Sequence, residues 1–188
     1  MGLRLSNLDG ALSLSTRHRP PGEAARICAA LASPWAATVE GLAAALALRA
    51  SGRPGLAAAV SAPTTLIVGQ MIKRLVSRPR PGLARFTRTG RQSFPSTHVA
   101  APVALLACLW RLAPRTAAWR AVLGLGGVLA LVVARERVCA GEHRASDIAA
   151  GAVLGAVMGS ALGGIAVARR AKATASRATE GGLQECPP

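Results

Sequence analysis

Lys73 and Arg80, the run Ser96-Thr97-His98, and the trio Arg137, His143 and Asp147 are the side chains of this sequence best suited to holding and attacking a phosphate. Arg80 stands seven positions after Lys73 and is followed by Pro81; Pro95 precedes Ser96; His143 comes six after Arg137, and Asp147 four after His143. Cations neutralise phosphate oxygens, and one imidazole can attack phosphorus while a carboxylate fixes its tautomer. A second imidazole can hand a proton to the leaving oxygen. Together these groups make a kit for phosphoryl transfer that calls for no metal.

Such a kit works only if the chain brings its parts together, and the apolar segments between them supply the means. Apolar spans are predicted at roughly 27–48, 55–72, 98–112, 117–134 and 148–168. Several reach the length needed to cross about 30 Å of hydrocarbon. In lipid an open strand leaves backbone groups unpaired, so each span is expected to be a helix. The predicted fold class is therefore all-α: an integral membrane helical bundle of about five transmembrane helices. Residues 1–26 are read as an N-terminal tail, with a short amphipathic piece around Leu3–Leu14, residues 27–168 as the membrane domain, and residues 169–188 as a disordered C-terminal tail. If the chain crosses at 98–112 and returns at 117–134, all three clusters emerge at one membrane surface.

Composition narrows the classes. Half the residues are apolar while aromatics make up only 3%, and small residues suit close-packed membrane helices better than a soluble core. The rival is a soluble, alanine-rich bundle, and Glu40 within the first span favours it. Arginine clustered at span ends favours the membrane. The net charge of +15 invites a nucleic-acid reading, but long neutral stretches interrupt the arginines and no zinc-finger or RNA-type motif appears. Anionic head groups or an anionic substrate explain the charge better. Only Lys73 and Lys172 are lysines. Cys28, Cys108, Cys139 and Cys186 lie far apart and form neither a disulfide framework nor a metal-ligand pair, and no cleavable signal peptide is expected. No cofactor and no metal are expected.

Taken singly, each cluster has an ordinary explanation. Lys73 and its neighbours could be cations snorkelling at a helix end, broken off by Pro79 and Pro81. Ser96 or Thr97 could simply cap a helix, although a helix start is also an anion seat. Arg137 to Asp147 could be a mixed-charge surface turn. The further arginines at 74, 78, 85, 88 and 91 read as a solvated face more readily than as a lipid-binding patch.

In combination the clusters resemble the signature of the type 2 phosphatidic acid phosphatase superfamily: Lys, six residues, Arg-Pro; Pro-Ser-Gly-His; then Ser-Arg, five residues, His, three residues, Asp. This chain has Lys73…Arg80-Pro81, Pro95-Ser96-Thr97-His98 and Glu136-Arg137…His143…Asp147, over about residues 55–168. The resemblance implies that Lys73, Arg80 and Arg137 grip the phosphate with help from backbone amides near Ser96 and Thr97. It implies that His143 attacks and becomes a phosphohistidine, that Asp147 orients it, and that His98 protonates the leaving oxygen. Two departures stand out. Thr97 replaces the glycine, and Glu136 replaces the serine; Glu142 adds further negative charge beside the nucleophile.

The implied activity is hydrolysis of a phosphate ester on a membrane lipid, with the bilayer as the other partner and the oligomeric state left open. Short, arginine-rich members of the family point to a bacterial polyprenyl substrate, such as a polyprenyl diphosphate or decaprenylphosphoryl phosphoribose; glycerolipid phosphates are the other class. A soluble acid phosphatase of the same superfamily and a catalytically silent lipid-binding or scaffold protein are the alternatives. The implied location is the cell membrane, multi-pass. Lys and Arg are spread too evenly over the two faces to fix orientation, and the resemblance favours an extracytoplasmic site.

Overall fold

The computed structural model describes residues 33–81 and 92–182, preceded by Glu23, Ile27, Ala30 and Leu31. Five helices follow in order: α1 (Pro34–Ala50), α2 (Leu56–Val76), α3 (Thr97–Leu112), α4 (Ala117–Cys139) and α5 (Ala145–Gly182). Their ends follow local chemistry. Ser33 caps α1 by accepting a bond from the Ala36 amide at 3.1 Å, with Pro34 in the first turn where a missing N–H does no harm. Helix α2 stops at Ser77, which takes the left-handed conformation (φ 47°), and Pro79 keeps the helix from resuming. Thr116 caps α4.

Helix α3 is the axis of the bundle. Val99, Ala100, Ala101, Pro102, Ala104, Leu105, Cys108, Leu109 and Leu112 are all buried, and α1, α2, α4 and α5 all pack on it. The closest partner is α5, for a reason visible in its sequence. Gly151, Gly155 and Gly159 recur every fourth residue along one face; a Cβ there would run into the carbonyl oxygens of Ser96, Ala100 and Ala104 respectively. Lacking side chains, these positions let the two backbones touch, as in the small-residue interfaces of membrane bundles. The core continues in the same style, with Ala45, Leu48, Ala57 and Ala58 against Leu105, Leu109 and Leu112.

The outer faces are apolar. Along α4, Val122, Leu125, Val128 and Leu131 are exposed, and only Ala130 and Val133 are buried. A soluble bundle would not leave such a surface wet, and acyl chains cover it at no cost. Among the described residues three helices are long and apolar enough to cross a membrane: Leu56–Val76, Ala117–Cys139 and Ala145–Arg177. The bundle has the five helices expected, and these three are the ones that length and composition alone qualify to cross. Helix α3 has 16 residues, about 24 Å at 1.5 Å per residue, and is short of the hydrocarbon thickness. Helix α1 has 17 residues and carries Glu40 and Arg49.

One expected boundary differs. Helix α5 runs on to Gly182, through most of the stretch read as a disordered tail, because Ala, Lys and Arg after residue 168 are strong helix formers. The tail at 1–26, apart from Glu23, lies outside the described residues, as do residues 183–188 and Arg85, Arg88 and Arg91 of the first loop.

Candidate active site

The three clusters meet at one end of the bundle, each delivered by a helix terminus. Lys73 sits in the last turn of α2 and is buried; its Nζ donates to Thr97 Oγ1 at 3.4 Å, tying the first cluster to the second. Beyond Ser77 the chain turns, and Pro79 pairs with Gln92 in an antiparallel bridge, while the Ser93 amide donates to the Arg78 carbonyl at 2.8 Å. This closure at the foot of the loop holds Arg80 inward, only 3% exposed.

Ser96 occupies the N-cap position of α3, yet its hydroxyl makes no capping bond and is buried without a partner. The Thr97 hydroxyl accepts from Lys73 instead. The expected cap is therefore missing at this helix, and the amides of Thr97 and His98, which have no acceptor within the helix, are left available to an anion. The bulk that Thr97 adds has been given room. A Cβ at Gly69 would lie 2.8 Å from the Thr97 methyl, so the glycine makes space for the threonine.

The third cluster is shaped by the end of α4. Gly141 takes φ 67° and donates to the Val138 carbonyl at 2.9 Å, while the Glu142 amide reaches back to the Arg137 carbonyl at 3.1 Å. This pair of bonds is a Schellman termination, for which glycine is the favoured residue. It turns the chain sharply and sets Glu142 and His143 beside Arg137. Helix α5 then starts at Ala145, and Asp147 Oδ2 accepts from the Arg144 amide at 2.9 Å, the reciprocal half of a capping box. The Ser96 amide donates to the Asp147 carbonyl at 3.0 Å and locks the start of α3 to the start of α5.

His143 is 1% exposed and Asp147 is fully buried. His143 Nδ1 faces Asp147 Oδ2 at 3.8 Å, an ion-pair separation and longer than a hydrogen bond. Both ring nitrogens of His143 are buried without a hydrogen-bond partner, as is Nδ1 of His98. Burial is the largest influence on the His143 ring and pushes its pKa below the ordinary histidine value; Asp147 pulls the other way, and the charges of Arg80 and Lys73 add to the lowering. The charges of Arg137, His143, Lys73 and Arg80 all bear on His98. The two imidazoles and the three cations thus share one electrostatic neighbourhood.

One residue set aside in the sequence belongs here. Arg78, read as part of a solvated face, sends Nη1 to Asp147 Oδ1 at 2.9 Å and to Ser146 Oγ at 2.8 Å. The sequence offered a faint signal, two arginines flanking Pro79, but not which of them turns inward to the carboxylate. The two acidic departures also separate. Glu136 pairs with Arg135 at 3.1 Å. Glu142 pairs with Arg137 at 2.6 Å, and it lies 3.6 Å from Arg80. Among the described residues no group of three or more His, Cys, Asp and Glu side chains is arranged to hold a metal ion.

A cleft of about 650 Å³ opens beside these groups, its lining made of polar residues, among them Lys73, Arg80, Thr97 and His98, and apolar ones, among them Trp35, Ile67 and Met71.

The sequence profile of the PAP2 superfamily matches residues 54–170, which contain all three clusters. The chain belongs to the PAP2 superfamily. A solved structure gives the same architecture: the crystal structure described as the first transmembrane PAP2 type phosphatidylglycerolphosphate phosphatase, from Bacillus subtilis, superposes with a TM-score of 0.68 at 22% identity, covering 86% of this chain and 85% of that one. At that identity the likeness is one of fold. No curated protein matches the sequence. PAP2 membership supports a hydrolase of the phosphatase type and, with the three long apolar helices, a multi-pass membrane protein.

Proposed function

We propose that this protein hydrolyses a phosphate monoester on a membrane lipid, without a metal, through a phosphohistidine at His143. The observation that carries the reading is a buried imidazole, both nitrogens unpaired, among Lys73, Arg80 and Arg137. In the first step Nε2 of His143 donates its lone pair to phosphorus while the P–O bond to the lipid breaks. His98 enters the step as imidazolium, and its Nε2 gives a proton to the departing oxygen, leaving the neutral ring. Nδ1–H of His143 points at Asp147, whose carboxylate balances the positive charge that the ring acquires. In the second step His98 removes a proton from water, the resulting hydroxide attacks phosphorus, and the N–P bond breaks to release inorganic phosphate and neutral His143. Lys73, Arg80, Arg137 and the Thr97 and His98 amides hold the equatorial oxygens, where charge must be met in both transition states.

The lipid class follows from the cleft. A phosphate held at Lys73 and Arg80 leaves its tail among Trp35, Ile67 and Met71, so an amphiphile fits and a small soluble ester has no use for those apolar side chains. A polyprenyl phosphate and a glycerolipid phosphate, the class named for the Bacillus subtilis protein, both satisfy this geometry. The exposed apolar face of α4 weighs against the soluble acid phosphatase alternative. The family resemblance favours a site on the extracytoplasmic side.

The test is phosphate release from purified polyprenyl, phosphatidic and phosphatidylglycerol phosphates with chelator present. Turnover in chelator that vanishes in H143A supports the proposal. Strict metal dependence, or turnover retained in H143A, overturns it. A folded wild-type protein that binds lipid phosphate and never turns it over supports a silent binding protein instead.

A further inference from the structure

The phosphate fork already holds an anion belonging to the chain. Glu142 Oε2 lies 2.6 Å from Arg137 Nη1 and 3.6 Å from Arg80 Nη1, bridging two of the three cations of the site. Its placement is built in: the Schellman turn at Gly141 aims residue 142 back over the last turn of α4, and Arg80 also donates to the Glu142 carbonyl at 3.3 Å. The guanidinium side chains are 4% and 16% exposed for Arg80 and Arg137, so the carboxylate meets them in a largely desolvated space.

We propose that Glu142 is a specificity-determining residue, a tethered competitor that lets phosphomonoester lipids reach the arginines and keeps phosphodiester lipids out. The physical need is plain. A cationic site at the bilayer edge is surrounded by phosphodiester head groups, each with a single negative charge and two free oxygens. A monoester carries about −1.5 to −2 at neutral pH and offers three oxygens. Against a resident carboxylate of charge −1, held at high effective concentration by its own backbone, a diester gains no Coulomb advantage. A monoester does gain one, and displaces it. Glu142 then swings toward the exposed side of the turn, while Lys73, Arg80 and Arg137 close on the ligand.

This rests on the phosphatase reading only for its choice of substrate, and the experiment separates the two. Wild type, E142Q and E136Q are compared in non-ionic maltoside mixed micelles, with phosphatidic acid as the monoester and short-chain phosphatidylglycerol as the diester. Equilibrium binding of both lipids is also measured in the H143A background, where turnover does not intrude. Glu136 is the control: it removes the same charge but pairs with Arg135. In E142Q the preference for phosphatidic acid over phosphatidylglycerol falls by about tenfold or more, the worth of one charge-assisted hydrogen bond, because the diester now competes for the fork. E136Q keeps the wild-type preference. An unchanged preference in E142Q, or an equal fall in E136Q, overturns the proposal. A wild type that releases no phosphate defeats the phosphatase reading, while the binding ratios in the H143A background still judge Glu142.

Discussion

Substituting Arg78 by methionine isolates the part of the site that the sequence left unassigned. The change keeps an unbranched side chain of comparable reach and removes the donor that Asp147 Oδ1 and Ser146 Oγ accept at 2.9 and 2.8 Å. Asp147 is completely buried, and its other oxygen keeps only the Arg144 amide at 2.9 Å and the His143 ring at 3.8 Å. Breaking a buried ion pair by deleting one partner costs about 3–5 kcal/mol, since the remaining charge is left uncompensated. The Arg78 side chain is 26% exposed, so water reaches the vacated place and the lower end, about 3 kcal/mol, is the better figure. If that loss falls on the transition state, where the His143 ring becomes positive and most needs an ionised Asp147, the rate drops about 100-fold. Because Arg78 acts through Asp147, KM for phosphatidic acid should change little while kcat carries the loss. Steady-state kinetics in mixed micelles read this split, and thermal unfolding reads the stability change. R78K should recover part of kcat, since an ammonium can reach one acceptor but lacks the fork. Wild-type kcat in R78M, or a rise in KM with kcat intact, would refute the positioning role and leave Arg78 a surface cation or a direct phosphate ligand.

Three further outcomes are expected. Burial first, and then Arg80 and Lys73, hold His143 below the ordinary value of 6.5; in the proposed mechanism the neutral ring attacks, so the acid limb of kcat/KM lies below pH 6.5, and R80Q moves it upward by removing one depressing charge. A limb above pH 6.5 in wild type contradicts that environment. Valine at Gly155 would thrust a side chain against the Ala100 carbonyl and the Val103 side chain, lowering stability by about 1–3 kcal/mol and separating the α3 and α5 termini that carry His98 and Asp147. Alanine at Gly164, where nothing lies within 4 Å of the added Cβ, is tolerated or mildly stabilising, and equal effects from both changes would refute the close-packing argument. H98A loses about 100- to 10,000-fold with an alkyl phosphate and far less with a p-nitrophenyl ester, whose leaving group needs no acid; an equal loss with both removes His98 from the proton-donor role.

How far the residues announced this arrangement differs from one part to another. The clusters were legible because each falls where an apolar run begins or ends, and the packing of α2, α4 and α5 on α3 brings those termini to one end of the bundle. The joint between them was harder to see. Gly151, Gly155 and Gly159 are three among many small residues in α5, and only their common face toward α3 shows that they bring Asp147 to Ser96. Hydropathy marked the five apolar segments that fold as α1 to α5 but not which of them cross, because burial within a bundle and burial in lipid select the same side chains. Within the site, sequence spacing could state that Arg78, Arg80, Glu136 and Glu142 were near the chemistry. It could not state their pairings, since a proline-broken loop and a left-handed glycine turn decide which way each points.

The most direct test of the central claim is to trap the covalent intermediate. Detergent-solubilised protein is mixed for milliseconds with a lipid phosphate labelled at phosphorus, quenched in base and digested, and the labelled peptide is sequenced by mass spectrometry. The expected result is label on His143, acid-labile and base-stable, absent from H143A and accumulating when H98A slows hydrolysis of an activated ester. Turnover at the wild-type rate with no label on the protein, or label on any other residue, would contradict it.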